Sequence, residues 1–435
     1  RDPLWSRGLG DVYKRQVKHE DFEVWKLHYQ SIPRLYVTAN LYVPKGLKKP
    51  APAILYVCGH GKVKKDGVSY GNKVHYQHHG IWFARHGYVC LTIDTLQLGE
   101  IEGIHHGTYN HDMWWWNSRG YSSASVEAWN SIRALDYLET LDFVDKNRFG
   151  VTGRSGGGAY SWWISVLDER IKVSAPVAGI TSLKNHVYAG FQNSGRLAHG
   201  VVEGHCDSMF HVNTYRWDFD HIAALVAPRP LMILNTDDDR IFPLDGVTDV
   251  FNGVRRIYDL HGQRNKLGLT IVPGGHSDTQ PLQVPAFNWF NRHLKGEEGP
   301  ITVAAVKLFE PEQLKVFNEL PADSINADIQ EAFTQLADDK SKPSQKTVEL
   351  LRAKTFRGWP AKENSLNAKR AFSTEYEGVV FEAIDFDSQE HIRLRAYIAY
   401  RKGLEKPSRV DVEVLNEEYW NKLQKIVYHR GHVVD

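Results

Sequence analysis

From Val17 onward the chain alternates short apolar runs of strand character with longer stretches whose apolar residues recur every three to four positions. Eight runs read as strands: FEVWKLHYQ, LYVTANLYVP, APAILYV, YVCLTID, NRFGVTG, IKVSAPVAG, RPLMILN and LGLTIVPG. They are rich in β-branched and aromatic residues and bounded by Gly, Pro or Asn. The clearest helix lies in SVEAWNSIRALDYLETL, where Val126, Trp129, Ile132, Leu135 and Leu138 share one face. Two strands in meander followed by β/α alternation predict an α/β fold with an eight-stranded, mainly parallel sheet and helices on both faces. Ligands of such sheets sit at the carboxyl ends of the strands, so chemistry is expected in the loops that leave them.

Two GxSxG patterns occur. The first, around Ser69, follows the polar run KVKKD and has no strand to hold a strained serine, so Ser69 is expected to be a loop residue. The second, Gly153-Arg154-Ser155-Gly156-Gly157, follows the strand NRFGVT and opens the helical stretch GGAYSWWISVL. That strand–turn–helix setting is what an exposed serine nucleophile requires, with small residues on either side to avoid clashes. Gly156, next after the serine, offers its backbone N–H to a developing oxyanion at the start of a helix. A serine needs a base and the base an orienting acid. After Ser155, the strand end NTDDDRIFP supplies carboxylates, and the last strand end, VPGGHSDTQ, supplies His276. Of the remaining histidines, His75 and His79 stand four apart on an expected helix. They lack an HExxH pattern or paired cysteines, so no metal or other cofactor is expected.

The stretches GRSGGGAYSWW, LDERIKVSAPVAGIT, EGHCDSMFHVNTYRWD, ALVAPRPLMILNTDDDRIFPLDGV and GGHSDTQPLQVPAFNWFNRHLKG together resemble the acetylxylan-esterase-like branch of the α/β-hydrolases, kin to the dienelactone hydrolase and prolyl oligopeptidase groups. The resemblance covers about residues 20–298. It implies a serine esterase that acts on acylated carbohydrate in an exported or periplasmic setting. In this superfamily the acid stands four residues before a proline, in a pattern like HGxxDxxVP. Counting back from Pro243 selects Asp239. An alignment anchored on Arg240 would select Asp238 instead, and Asp237 is expected to cap the loop. The loop CGHGK places His60 where the superfamily has its second oxyanion donor, through the backbone N–H. The other readings are a prolyl-oligopeptidase-like peptidase, opposed by a front too short for a propeller, and a carbohydrate-binding protein on a hydrolase scaffold.

Two insertions that leave strand ends carry aromatics suited to stacking on sugar rings. One is HHGTYNHDMWWWNSRGY, with Trp114, Trp115 and Trp116; the other contributes Tyr188, Phe191, Phe210, Tyr215 and Trp217. At least two of the three consecutive tryptophans are expected to pack the loop onto the body. Arg154 and Arg119 are candidates to meet an acidic group such as a uronate.

Charge and composition narrow the partners. Lys+Arg 53 against Asp+Glu 52, with no basic stripe, disfavours nucleic acid, and no apolar run approaches the roughly 18 residues of a membrane span. The three cysteines, Cys58, Cys90 and Cys206, read as core thiols rather than a disulfide framework. Residues 1–16 resemble translated adaptor sequence and are set aside. The expected organisation is a hydrolase domain over 17–298, a helical linker over 299–371, and the start of a second, related domain over 372–435. The last rests on an internal echo: Lys45–Pro50 (KGLKKP) matches Lys402–Pro407 (KGLEKP) at five of six places.

Overall fold

A computed structural model of the chain describes residues 13–104, 106–186, 217–334, 344–356, 358 and 365–429. Residues 1–342 and 343–435 form two units. In unit 1 the elements run β1 (Tyr13–Lys18), β2 (Phe22–Ile32), β3 (Leu35–Pro44), β4 (Ala51–Val57), α1 (Gln77–Arg85), β5 (Val89–Ile93), α2 (Ser123–Glu139), β6 (Val144–Arg154), α3 (Gly156–Leu167), β7 (Ile171–Val177), β8 (Leu231–Thr236), α4 (Leu244–Leu260), β9 (Leu267–Val272) and α5 (Gln280–Phe290). They build one nine-stranded sheet in the order β1-β2-β3-β5-β4-β6-β7-β8-β9. Strands β1, β2, β3 and β5 are joined by antiparallel ladders, and every pairing from β5 to β9 is parallel.

All eight expected runs are strands of this sheet. The ninth, β1, corrects the expected count. Its polar sequence YKRQVK overlaps the segment set aside, yet pairs from Tyr13 opposite His28 to Lys18 opposite Glu23. An edge ladder is made by the main chain and needs no apolar face. The central strands β4 and β5 are buried at every residue, as a parallel sheet covered on both faces requires. On one face, Leu27, Val37, Leu41, Leu55, Val89 and Val151 pack with Leu135 and Leu138 of α2. On the other, Ile54, Val173 and Ile233 pack with residues of α1, α4 and α5.

Helix α2 starts where Ser122 accepts the Ala124 N–H, as an N-cap should. Its buried face is wider than the apolar period suggests. Val126, Leu135 and Leu138 are buried as expected, but Trp129 and Ile132 are only half-buried, while Glu127, Asn130, Ala134 and Tyr137 turn inward. Glu127 accepts the Leu96 N–H, and the main-chain carbonyl of Asn130 accepts from Tyr29 Oη, while Asn130 Oδ1 is buried without a partner. Burial pushes the Glu127 carboxyl up to about 8.

Residues 299–334, expected as part of a linker, belong to unit 1. Leu314 and Ile329 are buried, Gln77 Nε2 donates to Phe309 O at 2.8 Å, and Val316 N and Phe317 N donate to Glu100. Glu100 is held in turn by Lys73, which is fully buried. The Lys73 ammonium lies 2.6 Å from Glu100 Oε1 and 2.8 Å from Asp94 Oδ2, and donates to Tyr70 O. Burial lowers the lysine's proton affinity, but the two carboxylates outweigh it and hold the ammonium charged.

Unit 2 contains β10 (Lys369–Tyr376), β11 (Val379–Gln389) and β12 (Ile392–Arg401) in an antiparallel three-stranded sheet, and a helix α6 (Glu417–His429) after the short helix Gln345–Lys354 that precedes them. On one sheet face, Phe381 and Tyr397 stack with centroids 5.9 Å apart, and Trp420 of α6 stands 5.1 Å from Tyr397. Cys58 and Cys90 are buried free thiols, and Cys206 lies outside the described residues. No helix among the described residues is long and apolar enough to cross a membrane.

Lys73→Met strands two buried carboxylates and is expected to lower stability by roughly 3–5 kcal/mol. The shift is read from urea midpoints at neutral pH; a midpoint unchanged from wild type would show that the ion pairs are idle.

Candidate active site

Four strand ends converge on one place. Strand β6 runs straight into α3 through Ser155, whose φ of 61° and ψ of −123° put a non-glycine residue in a sparsely populated region. Two glycines permit this turn. A Cβ on Gly153 would lie 2.1 Å from Val57 O of β4, and one on Gly157 equally close to the same oxygen. Only glycine lets the turn approach β4 so closely. The Ser155 N–H is held by Val177 O of β7 at 2.9 Å.

The loop after β9 carries His276. Its Nε2 lies 2.9 Å from Ser155 Oγ, and its Nδ1 lies 2.8 Å from Asp239 Oδ2. An imidazole protonated on Nδ1 satisfies both contacts: it donates to the carboxylate and accepts from the hydroxyl. Asp239 is buried, and its other oxygen accepts the N–H groups of Ile241 and Phe242 at 2.9 and 3.0 Å. Its two neighbours are exposed and differ from it. Asp237 Oδ1 accepts the Gly274 N–H and so ties the two loops, while Asp238 uses its backbone N–H to donate to Gly274 O. Of the three aspartates, Asp239 is the one against His276.

His60, on the loop after β4, stands beside the elbow: a Cβ on Gly156 would lie 2.6 Å from the His60 ring. This loop is fixed by Asn72, whose side chain donates to Gly59 O and to Thr95 Oγ1, both at 2.8 Å. Ser69 lies elsewhere, on a two-residue strand, with its hydroxyl donated to Gly99 O.

Several expected wall residues take other roles. Trp116 is buried, Trp115 lies under the Arg119 guanidinium at 4.4 Å, and Trp114 is exposed. Arg119 pairs with Glu331 at 2.8 Å, so this guanidinium already has a carboxylate partner. Arg154 instead donates through Nη2 to His276 O at 2.9 Å. Tyr188, Phe191, Phe210 and Tyr215 lie outside the described residues, and Trp217 is exposed.

The histidine-rich run contributes something the sequence did not reveal. Helix α1 begins only at Gln77, so His75 and His79 do not share a helix. His79 Nε2 lies 2.8 Å from Asp278 Oδ2, and His78 Nε2 3.6 Å from the same oxygen. Asp278 follows His276 by two residues, so α1 anchors the loop that carries the imidazole. One ligand atom from each of His78, His79 and Asp278 lies within 4.8 Å of the others, close enough to consider a metal ion. Metal-bound imidazoles give their second nitrogen a hydrogen-bond partner. Here Nδ1 of both rings is buried without one, and the groups already bond one another. The set suits a hydrogen-bonded anchor better than a metal centre. Burial holds His78 down to about 4. It pushes the Asp278 carboxyl up, but the His79 charge and the histidine hydrogen bonds outweigh that and hold Asp278 well below the usual carboxylate range.

Comparison with known proteins agrees with this geometry. Residues 102–262, which carry Ser155 and Asp239, match the family model described as glucuronyl esterase, fungi. The hydrolase-like protein YtaP of Bacillus subtilis (strain 168) is 26% identical over 257 residues, covering 58% of this chain and 81% of its own. A 4-O-methyl-glucuronoyl methylesterase of Phanerochaete carnosa (strain HHB-10118-sp) is 25% identical over 244 residues, 50% of this chain and 58% of that protein. Among solved structures, Methylesterase BT1017 superposes with a TM-score of 0.54 at 21% identity, over 78% of this chain and 69% of that one, which is a likeness of fold. The chain has the α/β-hydrolase fold.

The anchor makes the protein acid-sensitive in a defined way. Asp278 contributes stability above the ordinary carboxylate pKa near 4, and loses it as pH falls toward its depressed native value. Asp278→Asn should therefore lower the melting temperature at pH 6–7 and flatten its decline as pH falls below roughly 4. Parallel melting curves for the two proteins, offset equally at every pH, would contradict the anchor.

Proposed function

We propose that Ser155, His276 and Asp239 are the nucleophile, base and orienting acid of a carbohydrate esterase. The observation that supports this most is the continuous set of contacts from Ser155 Oγ through the imidazole to a buried Asp239. Ser155 Oγ attacks the ester carbonyl while His276 takes its proton, and the acyl-enzyme forms as the imidazolium returns that proton to the leaving alcohol. Water, activated by the same imidazole, then releases the acid. Asp239 keeps the ring in the tautomer that can accept from serine. The backbone N–H groups of Gly156 and His60 receive the oxyanion, and the start of α3 adds positive potential there.

Two ester orientations fit a sugar substrate. The match of residues 102–262 to glucuronyl esterases, together with the glucuronoyl methylesterase relative, favours an ester whose acid is a uronate on the polysaccharide. The resemblance to acetylxylan esterases supports the second reading, an acetyl group on a sugar hydroxyl. Either polymer is met outside the cytoplasm, where we place the enzyme.

Methanol release from the methyl ester of a glucuronoyl xylo-oligosaccharide should exceed acetate release from acetylated xylan; the reverse ranking would select the acetyl reading, and neither product would refute a carbohydrate esterase. Ser155→Ala and His276→Ala should each lower turnover by roughly 10⁶, and Asp239→Asn by roughly 10⁴. Asp238→Asn, assayed in parallel, should stay close to wild type. A fluorophosphonate should label Ser155 and leave Ser69 unmodified, and labelling elsewhere would displace Ser155 from its role.

A further inference from the structure

The echo between Lys45–Pro50 and Lys402–Pro407 extends into three dimensions. Strands β2 and β3 pair from Phe22 opposite Pro44 to Ile32 opposite Leu35, with a register shift between Gln30 and Ile32. Strands β11 and β12 pair from Val379 opposite Arg401 to Gln389 opposite Ile392, with a shift between Asp387 and Gln389. Every one of these positions is related by the same offset of 357 residues, as Phe22 is to Val379 and Pro44 to Arg401. The offset also relates the two hairpin residues of positive φ, Arg34 (68°) and His391 (65°), and the glycines after the hairpins, Gly46 (70°) and Gly403 (81°). A chance likeness of lysine-rich turns does not reproduce a bulge, a left-handed turn residue and the ladder register together.

The repeat tells what the second sheet lacks. In unit 1, Leu27, Tyr29, Val37, Ala39 and Leu41 face α2 and are almost wholly buried. Their counterparts Ile384, Phe386, Leu394, Ala396 and Ile398 are also apolar, yet Leu394 is 48% and Ile398 40% exposed. The helix of unit 2 sits on the opposite face, through Trp420 and Tyr397. In unit 1 the free edge of β3 is taken by β5, antiparallel, with Ala39 opposite Ile93 and Leu41 opposite Leu91. Among the described residues of unit 2, no strand pairs with that edge of β12.

The same logic accounts for residues 408–414, the counterparts of β4. Strand β4 pairs with β5 and β6, not with β3, so its counterpart has no neighbour until the β5 position is filled. Val410, Val412 and Val414 alternate with charged residues as a strand would and are 69%, 88% and 90% exposed.

We propose that unit 2 is the opening meander of a second hydrolase sheet, and that the outer edge and apolar face of β12 dock an apolar strand running antiparallel to it, backed by an amphipathic helix. A second copy of β12 is a poorer occupant. Antiparallel self-pairing centred on Tyr397 would set Arg393 of one strand opposite Arg401 of the other, and like charges across a ladder repel.

The test uses the whole 435-residue chain and, as the probe, a peptide of residues 86–95 with Cys90→Ser, which spans β5. The Lys402 N–H bonds Gly378 O, so the alternate amides Tyr397 and Ala399 point to the outer edge; they should exchange rapidly in the chain alone and slow roughly tenfold with the peptide. A scrambled peptide should give no slowing. Ile398→Glu should abolish the effect while protection in β11 shows that the sheet is folded and esterase activity is unchanged. Three results overturn the proposal: edge amides already protected in the monomer, protection that grows with protein concentration and so reports a second copy, or no slowing by the peptide.

Discussion

The approach of the turn at Gly153–Gly157 to the backbone of β4 is the constraint around which unit 1 is organised. Any side chain at either glycine would place its Cβ 2.1 Å from Val57 O, well inside van der Waals contact. With that space kept empty, β6 can stop abruptly, α3 can start at once, and Ser155 is forced into a backbone conformation that costs of order 1–3 kcal/mol. Neighbouring strands supply the compensation. Val177 O takes the serine N–H, and the nine-stranded sheet fixes β4, β6 and β7 side by side.

The loops around the serine are held mostly from below. Asn72 bonds the loop of His60, and the adjacent Lys73 gathers Asp94 at the end of β5 and Glu100 beyond it. Glu100 then receives two N–H groups from residues 316 and 317, which closes the far segment onto the same centre. A buried lysine with two carboxylates contributes little net stability over an apolar cluster, but it defines one arrangement of four chain segments.

Much of this was legible in the sequence because it is local. Alternation and short apolar runs marked eight strands, and the glycines around Ser155 marked a strained turn. Three features were not legible. Strand β1 has no apolar signature, since an edge ladder depends on main-chain pairing with β2. The true face of α2 includes Glu127, whose burial depends on the Leu96 N–H from a distant part of the chain. The anchor of His79 on Asp278 spans 199 residues. Its only local trace was an aspartate two residues after His276 and a run of histidines with no other use.

The ties that the serine turn and the end of β8 make to the histidine loop are addressed largely to the main chain. Arg154 bonds His276 O, Thr236 bonds Gly275 O, and the Asp238 N–H bonds Gly274 O. Every amino acid carries those carbonyl oxygens. Side chains on the receiving loop can therefore drift over evolutionary time without releasing it, provided the few donors and the glycine turn persist. An architecture wired in this way survives far more divergence than its amino-acid identity would suggest, and distant relatives can vary what they accept while inheriting the same mechanical frame.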